Sequence, residues 1–315
     1  MNVLFVIPIF NDWVSFRRLV SAIDGALADQ GCNIRILAVD DGSTEPDQGT
    51  AWETMPLRHV ECVDVVRLEC NLGHQKAIAI GLTEAAKIEG IDHVVVMDGD
   101  GEDDPAELPR LLETRAKGNA PMVLAHRSKR SEGRLFRFFY VLYKQMFRLM
   151  TGVNLAFGNY CVLSPQAVRC LTFMPNLWNS LPATCLRSKL PFSVVPTVRG
   201  KRYAGEPKMN FASLILHGLQ AITVFSDTAL VRLSLGSTLV AMWAALVVVL
   251  VRLIGFDWIV PGWASNMIGF VVLSLMTILF SLLNTSLLAL QERSNMPMIP
   301  FVHAEVYVRI VERLR

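Results

Sequence analysis

The 315-residue chain lacks the cysteine patterns of zinc-binding and secreted proteins. Its six cysteines form no CxxC pair and no knuckle with the six histidines, which excludes a zinc finger or ribbon and a secreted disulfide framework. The first residues lack a basic segment, a long apolar run and an A-x-A-like cleavage site, so we expect a strand there and not a signal peptide. We therefore expect the first domain to lie in a reducing compartment, the cytoplasm.

Acidic residues are missing from a long stretch in the middle of the chain. Between Glu132 and Glu206 there is no Asp or Glu, although ten Lys and Arg occur there. Residues 1–113, in contrast, hold 21 of the 28 acidic residues and 8 of the 30 basic ones. Such asymmetry indicates an anionic partner for the basic part, either a nucleic acid or a negatively charged membrane surface. The hydrophobic content of 52% favours the membrane.

Charged residues are missing from two stretches nearer the C-terminus. Leu233–Val251 and Trp258–Leu290 contain none, and about 20 helical residues cross a bilayer core. We therefore predict a transmembrane hairpin over residues 232–290, with helices at about 233–252 and 266–289; two buried helices of a soluble core are the alternative. Basic residues concentrate before the first span and after the second. The positive-inside rule thus predicts a cytoplasmic large domain and a cytoplasmic tail over 291–315.

Two further segments have the composition of interfacial helices. Residues 133–151 mix aromatic and aliphatic side chains with four basic ones, and residues 209–231 form an apolar run that leads into the first span. An ordinary amphipathic helix packed on the sheet is the alternative for each, and the neighbouring hairpin favours the interfacial interpretation. Small residues in the spans, such as Gly236 and Ala241, would permit helix association, including homo-oligomer formation.

The first 125 residues alternate short Val- and Ile-rich runs with periodic segments. The runs predict strands over Val3–Ile9, Asn33–Val39, Val63–Leu68, His93–Met97 and Met122–Ala125, and the periodic segments predict helices around 13–28, 74–88 and 105–117. This alternation predicts an α/β fold whose mostly parallel sheet is covered by helices on both faces. Ligands of such sheets bind at the carboxyl ends of the strands.

The acidic loop Asp98–Glu102 follows the fourth predicted strand. Carboxylates at positions 98, 100 and 102 can converge on one hard divalent cation, Mg²⁺ or Mn²⁺, which would bridge substrate phosphates. A solvated turn or a helix N-cap is the alternative, and Asp104 before Pro105 fits such a cap. The position after a buried strand favours the metal site.

Two other predicted strand ends carry candidate ligands. Asp41, in the Asp-Asp-Gly-Ser sequence at 40–43, can accept hydrogen bonds from a nucleobase or can form no more than a turn. Residues 71–76 open a predicted helix and place backbone N–H groups and Lys76 where an anion could bind. We interpret His74, within the same segment, as structural.

The acid-free stretch also bears on the reaction. It offers no carboxylate that could act as a local general base, which an alcohol acceptor would need. A phosphate monoester acceptor needs none, because its oxygens are already ionised near neutral pH. The pattern therefore predicts a metal ion and donor in the acidic half and an anionic acceptor in the basic half.

Seven segments carry a family resemblance, and they occur in this order: PIFND (8–12), VDDGS (39–43), NLGHQKAIAIGL (71–82), DGDGEDDP (98–105), HRSKRSEG (126–133), FGNYCVLSP (157–165) and RYAGEPKM (202–209). Followed by the hairpin, they resemble the polyprenyl-phosphate glycosyltransferases of glycosyltransferase family 2. The resemblance implies a GT-A catalytic domain over 1–208 and an inverting, metal-dependent transfer of one sugar from a nucleotide-sugar to a polyprenyl phosphate of the undecaprenyl type. It further implies a bacterial inner-membrane enzyme that serves envelope glycan modification.

The resemblance also assigns residues. Those that would contact the nucleotide-sugar are Pro8, Phe10, Asp12, Val39, Asp41, Gly73, Lys76, Asp98, Gly99 and Asp100. Those that would meet the donor diphosphate and the acceptor phosphate are Arg127, Arg130, Arg202 and Lys208. The metal ion would be held by Asp98, Asp100 and Glu102, and the catalytic group would be Asp98, Asp100 and Arg127.

Departures from the family pattern leave the base and sugar preference open. Phe10 stands where Tyr is usual, Asp12 replaces Glu, Glu102 replaces Gln, and Pro207 replaces Ser. The chain has no QxxRW sequence of processive family members, which favours a single transfer. Two other functions stay open: a glycosyltransferase that acts on a saccharide or protein hydroxyl, and a catalytically idle membrane scaffold. We expect no nucleic-acid partner.

Overall fold

The computed structural model describes residues 1–45, 47, 52, 55–127, 144–154, 157–204, 218–254, 262–294 and 297–315. The chain divides into two compact units. The first comprises Met1–Tyr140, Leu155–Val224 and Met298–Arg315, and the second comprises Val141–Asn154 and Phe225–Pro297.

Within the described part of the first unit, eight strands form one sheet. They are β1 (Asn2–Ile9), β2 (Asn33–Asp40), β3 (Val60–Leu68), β4 (His93–Val96), β5 (Met122–Arg127), β6 (Cys161–Leu163), β7 (Phe192–Thr197) and β8 (Val308–Arg313). Their order is β7-β5-β6-β4-β1-β2-β3-β8. Strand β6 runs antiparallel to β4 and β5, and β8 runs antiparallel to β3, while the other neighbours are parallel.

Helices cover both faces of the sheet. The α-helices with defined ends are α1 (Trp13–Ala26), α2 (His74–Ala85), α3 (Leu108–Lys117), α4 (Pro165–Thr172), α5 (Leu181–Arg187), α6 (Ser226–Ile254), α7 (Trp263–Ser294) and α8 (Pro300–His303). Short 3₁₀ turns occupy Ala28–Gln30, Pro105–Glu107, Pro175–Trp178 and Ala304–Tyr307.

The side chains of the central strand β1 alternate between two cores. Val3, Phe5 and Ile7 join the cluster that includes α1 and α3, whereas Leu4 and Val6 join the cluster that includes α2, α4 and α5. All five are at most 1% exposed. A strand buried on both faces needs apolar residues at successive positions, which is why β1 is a continuous apolar run.

The five predicted strands and the three predicted helices of the first 125 residues are confirmed, with ends that differ by up to three residues. The sequence analysis did not predict β6, β7 or β8. Strand β6 has only three residues, while β7 and β8 form the two edges of the sheet and are largely exposed. An edge strand needs no continuous apolar run, and charged residues such as those of β8 are typical of it.

The C-terminal residues correct the prediction of a tail over 291–315. Met298–Arg315 belongs to the first unit, and β8 pairs with β3 from Asp64 to Leu68. The contact is reinforced by Trp178, whose indole N–H donates to the Met298 carbonyl at 2.8 Å. The sheet of the first unit is therefore completed by residues that follow both apolar helices.

The second unit contains α6, α7 and the described part of the first predicted interfacial helix. Residues 144–151 are helical and, in contrast to the predicted 1–208 domain, belong to this second unit. Phe147 packs edge-on against Phe225 with ring centroids 6.2 Å apart, and the Arg232 guanidinium donates to the Leu149 carbonyl at 3.3 Å. Residues 128–143 and 205–217 lie outside the described part; residues 218–223 of the second predicted interfacial segment are helical.

Helices α6 and α7 contain two candidate membrane spans, Ser226–Val251 and Asn266–Thr285. The most apolar stretch of each span is almost fully exposed: 11% of it is buried in the first span and 0% in the second. The alternative of two core helices of a soluble protein requires burial and is therefore disfavoured. That the helices cross a bilayer stays a prediction from their length and composition.

Gly81 allows α2 to approach the sheet closely. A Cβ atom at Gly81 would lie 2.5 Å from Cγ1 of Val6 and 2.7 Å from Cγ2 of Val39. We expect Gly81→Ala to destabilise the protein by about 1–3 kcal/mol, because the methyl group overpacks this interface. The matched control is Gly25→Ala in α1, which has nothing within 4 Å of the new methyl group and should be neutral or slightly stabilising. Thermal unfolding midpoints of the detergent-solubilised variants measure both. Equal midpoints would show that α2 does not pack this closely.

Candidate active site

The candidate site lies where the neighbouring parallel strands β2, β1 and β4 end. The chain runs from β1 to β2 and β3 on one side, and later places β4 on the other side of β1. This reversal of strand order is the switch point at which open α/β sheets bind ligands. The loops that follow the three strands contain Asp12, Asp41, Asp98 and Asp100, so the topology brings together the acidic residues that the sequence analysis selected.

Asn11 joins the loop after β1 to the loop after β2. Its Oδ1 accepts hydrogen bonds from the N–H groups of Thr44 at 2.8 Å and Glu45 at 3.0 Å, and its own N–H donates to the Ser43 hydroxyl at 2.9 Å. To make these contacts Asn11 adopts a φ of 48°, a conformation that Asn tolerates better than most residues. The two loops therefore form one rigid edge.

Asp41 holds the start of α2. Its two carboxylate oxygens accept hydrogen bonds from the N–H groups of Leu72 at 2.7 Å and Gly73 at 2.9 Å. Burial raises the pKa of the Asp41 carboxyl above its usual range, and these two bonds oppose the rise. The Gly73 N–H is thus committed to Asp41, while Lys76 on the first turn of α2 is exposed. Contacts of Asp41, Gly73 and Lys76 with a nucleotide stay predictions.

The acidic loop after β4 is folded by its own carboxylates. The Asp98 N–H donates to Oδ2 of Asp103 at 2.9 Å, and the Glu102 N–H donates to Oδ1 of Asp100 at 2.9 Å. Asp103 is only 2% exposed. Asp104 caps the following 3₁₀ turn by accepting from the Ala106 N–H at 3.0 Å, as its predicted role as a cap requires.

Residues 199–203, which we call the basic strap, run along this acidic loop. The Gly200 N–H donates to the Glu102 carbonyl at 2.9 Å, and the Tyr203 N–H donates to the Asp100 carbonyl at 2.9 Å. Gly101 has a φ of 88°, and a Cβ there would lie 2.5 Å from the Tyr203 ring. The strap can therefore approach so closely only because position 101 is glycine.

The arginines of the strap face the carboxylates of the loops. Nη2 of Arg202 lies 3.3 Å from Oδ2 of Asp12, and Nη1 lies 3.5 Å from Oδ2 of Asp100. Burial and the negative charge of Asp98 raise the pKa of the Asp100 carboxyl, whereas the Glu102 N–H and Arg202 lower it. The expected proximity of Arg202 to the acidic loop is thus present in the structure.

Glu102 does not join Asp98 and Asp100 in a metal-ligand cluster. Its Oε2 accepts a hydrogen bond from Nε of Arg199 at 3.2 Å. Within the described part of the chain, no group of three or more His, Cys, Asp or Glu side chains is arranged to hold a metal ion. The predicted three-carboxylate site is therefore not assembled in this structure, because Arg199 takes the third carboxylate.

His74, which the sequence analysis interprets as structural, lies beside the acidic loop. Its Nε2 is 3.2 Å from Oδ1 of Asp98 and 2.9 Å from Nδ2 of Asn159. Although desolvation lowers it, the charge and hydrogen bond of Asp98 raise the pKa of His74 above its ordinary value. Asn159 is held in turn by Gln75, whose Nε2 donates to Oδ1 of Asn159 at 3.0 Å. No pattern in the sequence indicated this contact, because Asn159 is distant from His74 along the chain.

The remaining predicted residues have varied surroundings. Pro8 and Val39 are buried within β1 and β2, whereas Phe10 is 39% exposed beyond the end of β1. Gly99 packs against β1, since a Cβ there would lie 3.1 Å from the Pro8 carbonyl oxygen. Arg127 ends β5, where its backbone pairs with Thr197. The Arg127 side chain, Arg130 and Lys208 lie outside the described part.

Comparison with known proteins identifies the family. The model of glycosyl transferase family 2 matches residues 4–166, more than half of the chain. The chain belongs to glycosyl transferase family 2.

Two similar proteins are named undecaprenyl-phosphate 4-deoxy-4-formamido-L-arabinose transferase. The one from Klebsiella pneumoniae strain 342 is 26% identical over 276 residues, 83% of this chain and 80% of its own. The one from Aeromonas hydrophila subsp. hydrophila is 27% identical over 300 residues, 90% of this chain and 85% of its own.

A solved structure shares the fold of this glycosyltransferase. Glucosyl-3-phosphoglycerate synthase from Mycobacterium tuberculosis, crystallised with Mn²⁺, UDP-glucose and phosphoglyceric acid, has a TM-score of 0.52 and 16% sequence identity. The match covers 72% of this chain and 79% of that one. The likeness confirms the predicted GT-A type of fold.

The donor atoms of the glycosyltransferase site suit a divalent ion that also binds a diphosphate. Asp98 and Asp100 offer carboxylate oxygens, the ligands that Mg²⁺ and Mn²⁺ prefer. Mg²⁺ is usually held by one or two carboxylates together with substrate phosphates, and not by a full cage of protein ligands. The two carboxylates therefore fit such an ion without Glu102.

Gly101 sets the contact between the acidic loop and the basic strap. We expect Gly101→Ala to lower both stability and sugar transfer, because the new methyl group would overlap the Tyr203 ring. Gly31→Ala is the matched control, because Gly31 also has a positive φ, 57°, but a Cβ there would have no atom within 4 Å. It therefore measures only the stability lost when an alanine is forced into the left-handed conformation, about 1–2 kcal/mol. Unfolding midpoints and transfer rates separate the two effects. If Gly101→Ala cost no more than Gly31→Ala, the strap would not depend on this contact.

Proposed function

We propose that this glycosyltransferase is a membrane-bound inverting enzyme that moves one sugar from a nucleotide-sugar to a polyprenyl phosphate. The observation that carries the proposal is the similarity to undecaprenyl-phosphate sugar transferases over 90% of the chain. The family model ends at residue 166, so this similarity extends well beyond it and includes part of the apolar helices. Two apolar helices would hold the enzyme at the bilayer, where the isoprenoid chain of a polyprenyl phosphate lies.

In the proposed reaction, a lipid phosphate oxygen attacks the anomeric carbon as the bond to the nucleoside diphosphate breaks. The attacking oxygen is already ionised, so no general base is required. Arg202 would stabilise the negative charge of a phosphate group next to the reacting bond. We assign Asp98 and Asp100 to a Mg²⁺ or Mn²⁺ ion, which when bound would neutralise the leaving diphosphate as a Lewis acid. Mn²⁺ was present in the crystals of the M. tuberculosis synthase.

The contribution of the other predicted residues rests on the family resemblance. The nucleotide-sugar would lie along Pro8, Phe10, Asp12, Val39 and Asp41, with Gly73, Lys76 and Gly99 near the phosphates. Arg127, Arg130 and Lys208 would join Arg202 at the diphosphate and the acceptor phosphate. His74 would orient Asp98, which it contacts.

The chain order supports the proposed membrane topology. The polypeptide leaves the catalytic unit at Val224 and returns to it at Met298, and only α6 and α7 have the length and composition of spans in the described residues between these points. Two crossings return the chain to the side from which it left. We place that side in the cytoplasm of a bacterial cell, because basic residues flank the hairpin.

A donor screen tests the proposal. Purified enzyme is given UDP-, GDP- and dTDP-sugars with Mg²⁺ or Mn²⁺ and a short polyprenyl phosphate, and the lipid product is separated by chromatography. We expect one donor class to yield a polyprenyl-phosphate monosaccharide. Transfer only to a saccharide or protein hydroxyl would replace this function by the hydroxyl-acceptor alternative. Failure to bind any nucleotide-sugar would favour the idle scaffold.

Asp100 is the residue on which turnover should depend most. We expect Asp100→Asn to lower kcat by about 100-fold or more, because the site loses one of the two carboxylates assigned to the divalent ion, and the ion's positive charge would stabilise the leaving diphosphate. Asp104→Asn is the matched control: it removes a charge from the same loop and, since Asn is also a good N-cap, preserves the bond to the Ala106 N–H. Steady-state kinetics of both variants and of the unmodified enzyme measure the loss of kcat. An Asp100→Asn enzyme as active as Asp104→Asn would contradict the assignment.

A further inference from the structure

Arg202 occupies a cationic position between two loops of the sheet edge. Its guanidinium faces Oδ2 of Asp12 at 3.3 Å and Oδ2 of Asp100 at 3.5 Å. The three side chains are 19–20% exposed, so they are shielded but remain accessible to solvent. Asp12 follows β1 and Asp100 follows β4, and one positive charge therefore compensates carboxylates that two different strands deliver.

The two ion pairs are looser than the hydrogen bonds that hold the strap backbone. Charge-assisted N–H···O bonds are typically about 2.7–2.9 Å long, and both Arg202 contacts exceed this range. The backbone bonds from Gly200 to Glu102 and from Tyr203 to Asp100 are 2.9 Å each. The Arg202 side chain can therefore leave Asp100 while the strap stays in place.

We propose that Arg202 is a resident counter-cation of Asp100, which a divalent metal ion displaces when it binds, and that Asp12 then keeps the guanidinium beside the site. The inference rests on the proposed function, because that function assigns the metal ion to Asp98 and Asp100. Two cations compete for one carboxylate, so each lowers the affinity of the site for the other.

The exchange has a consequence for the order of binding. While no metal ion is present, Arg202 offsets part of the negative charge of Asp12 and Asp100. Once the ion binds Asp100, Arg202 keeps Asp12 as its partner through Nη2, and Nη1 becomes available to a phosphate oxygen. Metal binding thus supplies a second positive group to the substrate phosphates in addition to the ion itself.

A Mn²⁺ titration of the purified full-length enzyme, without sugar donor or lipid, tests the exchange. Free Mn²⁺ is followed by electron paramagnetic resonance. We expect Arg202→Gln to bind Mn²⁺ at least about fivefold more tightly than the unmodified enzyme, because the competitor is removed. Arg18→Gln is the matched control: it removes one charge near the same strap, since Nη1 of Arg18 donates to the Tyr203 carbonyl at 2.6 Å, but this contact involves no carboxylate. Its Mn²⁺ affinity should change by less than twofold.

Two results would overturn the proposal. One is an unchanged or lower Mn²⁺ affinity of Arg202→Gln, and the other is an equal gain in Arg18→Gln, which would reduce the effect to overall charge. If Arg202→Gln does not fold, Arg202→Lys serves instead. A lysine keeps the positive charge but lacks the planar guanidinium that faces both carboxylates. We therefore expect its Mn²⁺ affinity to rise by less than fivefold but by more than that of the control. A Mn²⁺ affinity at or below that of the unmodified enzyme overturns the proposal.

The proposed function fails in a different way. If neither the enzyme nor its variants bind Mn²⁺ without donor, the exchange is wrong. If sugar transfer also proceeds with metal removed by a chelator, the assignment of a metal ion is wrong as well. If the unmodified enzyme binds Mn²⁺ and transfers sugar but Arg202→Gln shows no gain, only the exchange is wrong.

Discussion

Compensation of carboxylate charge at the carboxyl edge of the sheet is the constraint on which the catalytic unit depends. The parallel strands β2, β1 and β4 deliver Asp40, Asp12 and Asp100 to one edge, where partial burial strengthens the repulsion among them. Each of the three faces an arginine: Arg67 lies 2.9 Å from Asp40, and Arg202 lies between Asp12 and Asp100. The negative charge of the acidic half is therefore partly compensated by arginines that come from β3 and from the basic strap.

The same edge is stiffened by carboxylates and amides that bind backbone N–H groups. Asp41 accepts from the residues before α2, Asn11 accepts from the loop after β2, and Asp103 accepts from Asp98. These bonds satisfy buried polar groups and fix the positions of the loops at the same time. A site that is ordered before its ligands bind loses less entropy in reaching a reactive geometry.

The sequence predicts those parts of the molecule that repeat a physical pattern. The central strands are apolar on both faces, and the loops that follow them are acidic, so the sheet, its ligand-binding edge and the selection of Asp98 and Asp100 follow from periodicity and from a family resemblance. The edge strands β7 and β8 carry no such pattern, because one face of each is in solvent. The contact of His74 with Asn159 could not be predicted, because the two residues are remote in sequence. The pairing of Glu102 with Arg199 could not be predicted either, because it depends on how the strap folds back, and the metal role of Glu102 stays a prediction.

Strand β8 completes the sheet of the first unit. This strand follows both apolar helices, yet it pairs with β3, whose sequence is complete before either helix is made. Glu312 on β8 accepts a hydrogen bond from Nε of Arg67 at 2.6 Å. Nη1 of the same arginine donates to Asp40, the residue before Asp41, and offsets its negative charge. The edge of the sheet and the charge balance at β2 are therefore completed only after the apolar hairpin has been synthesised.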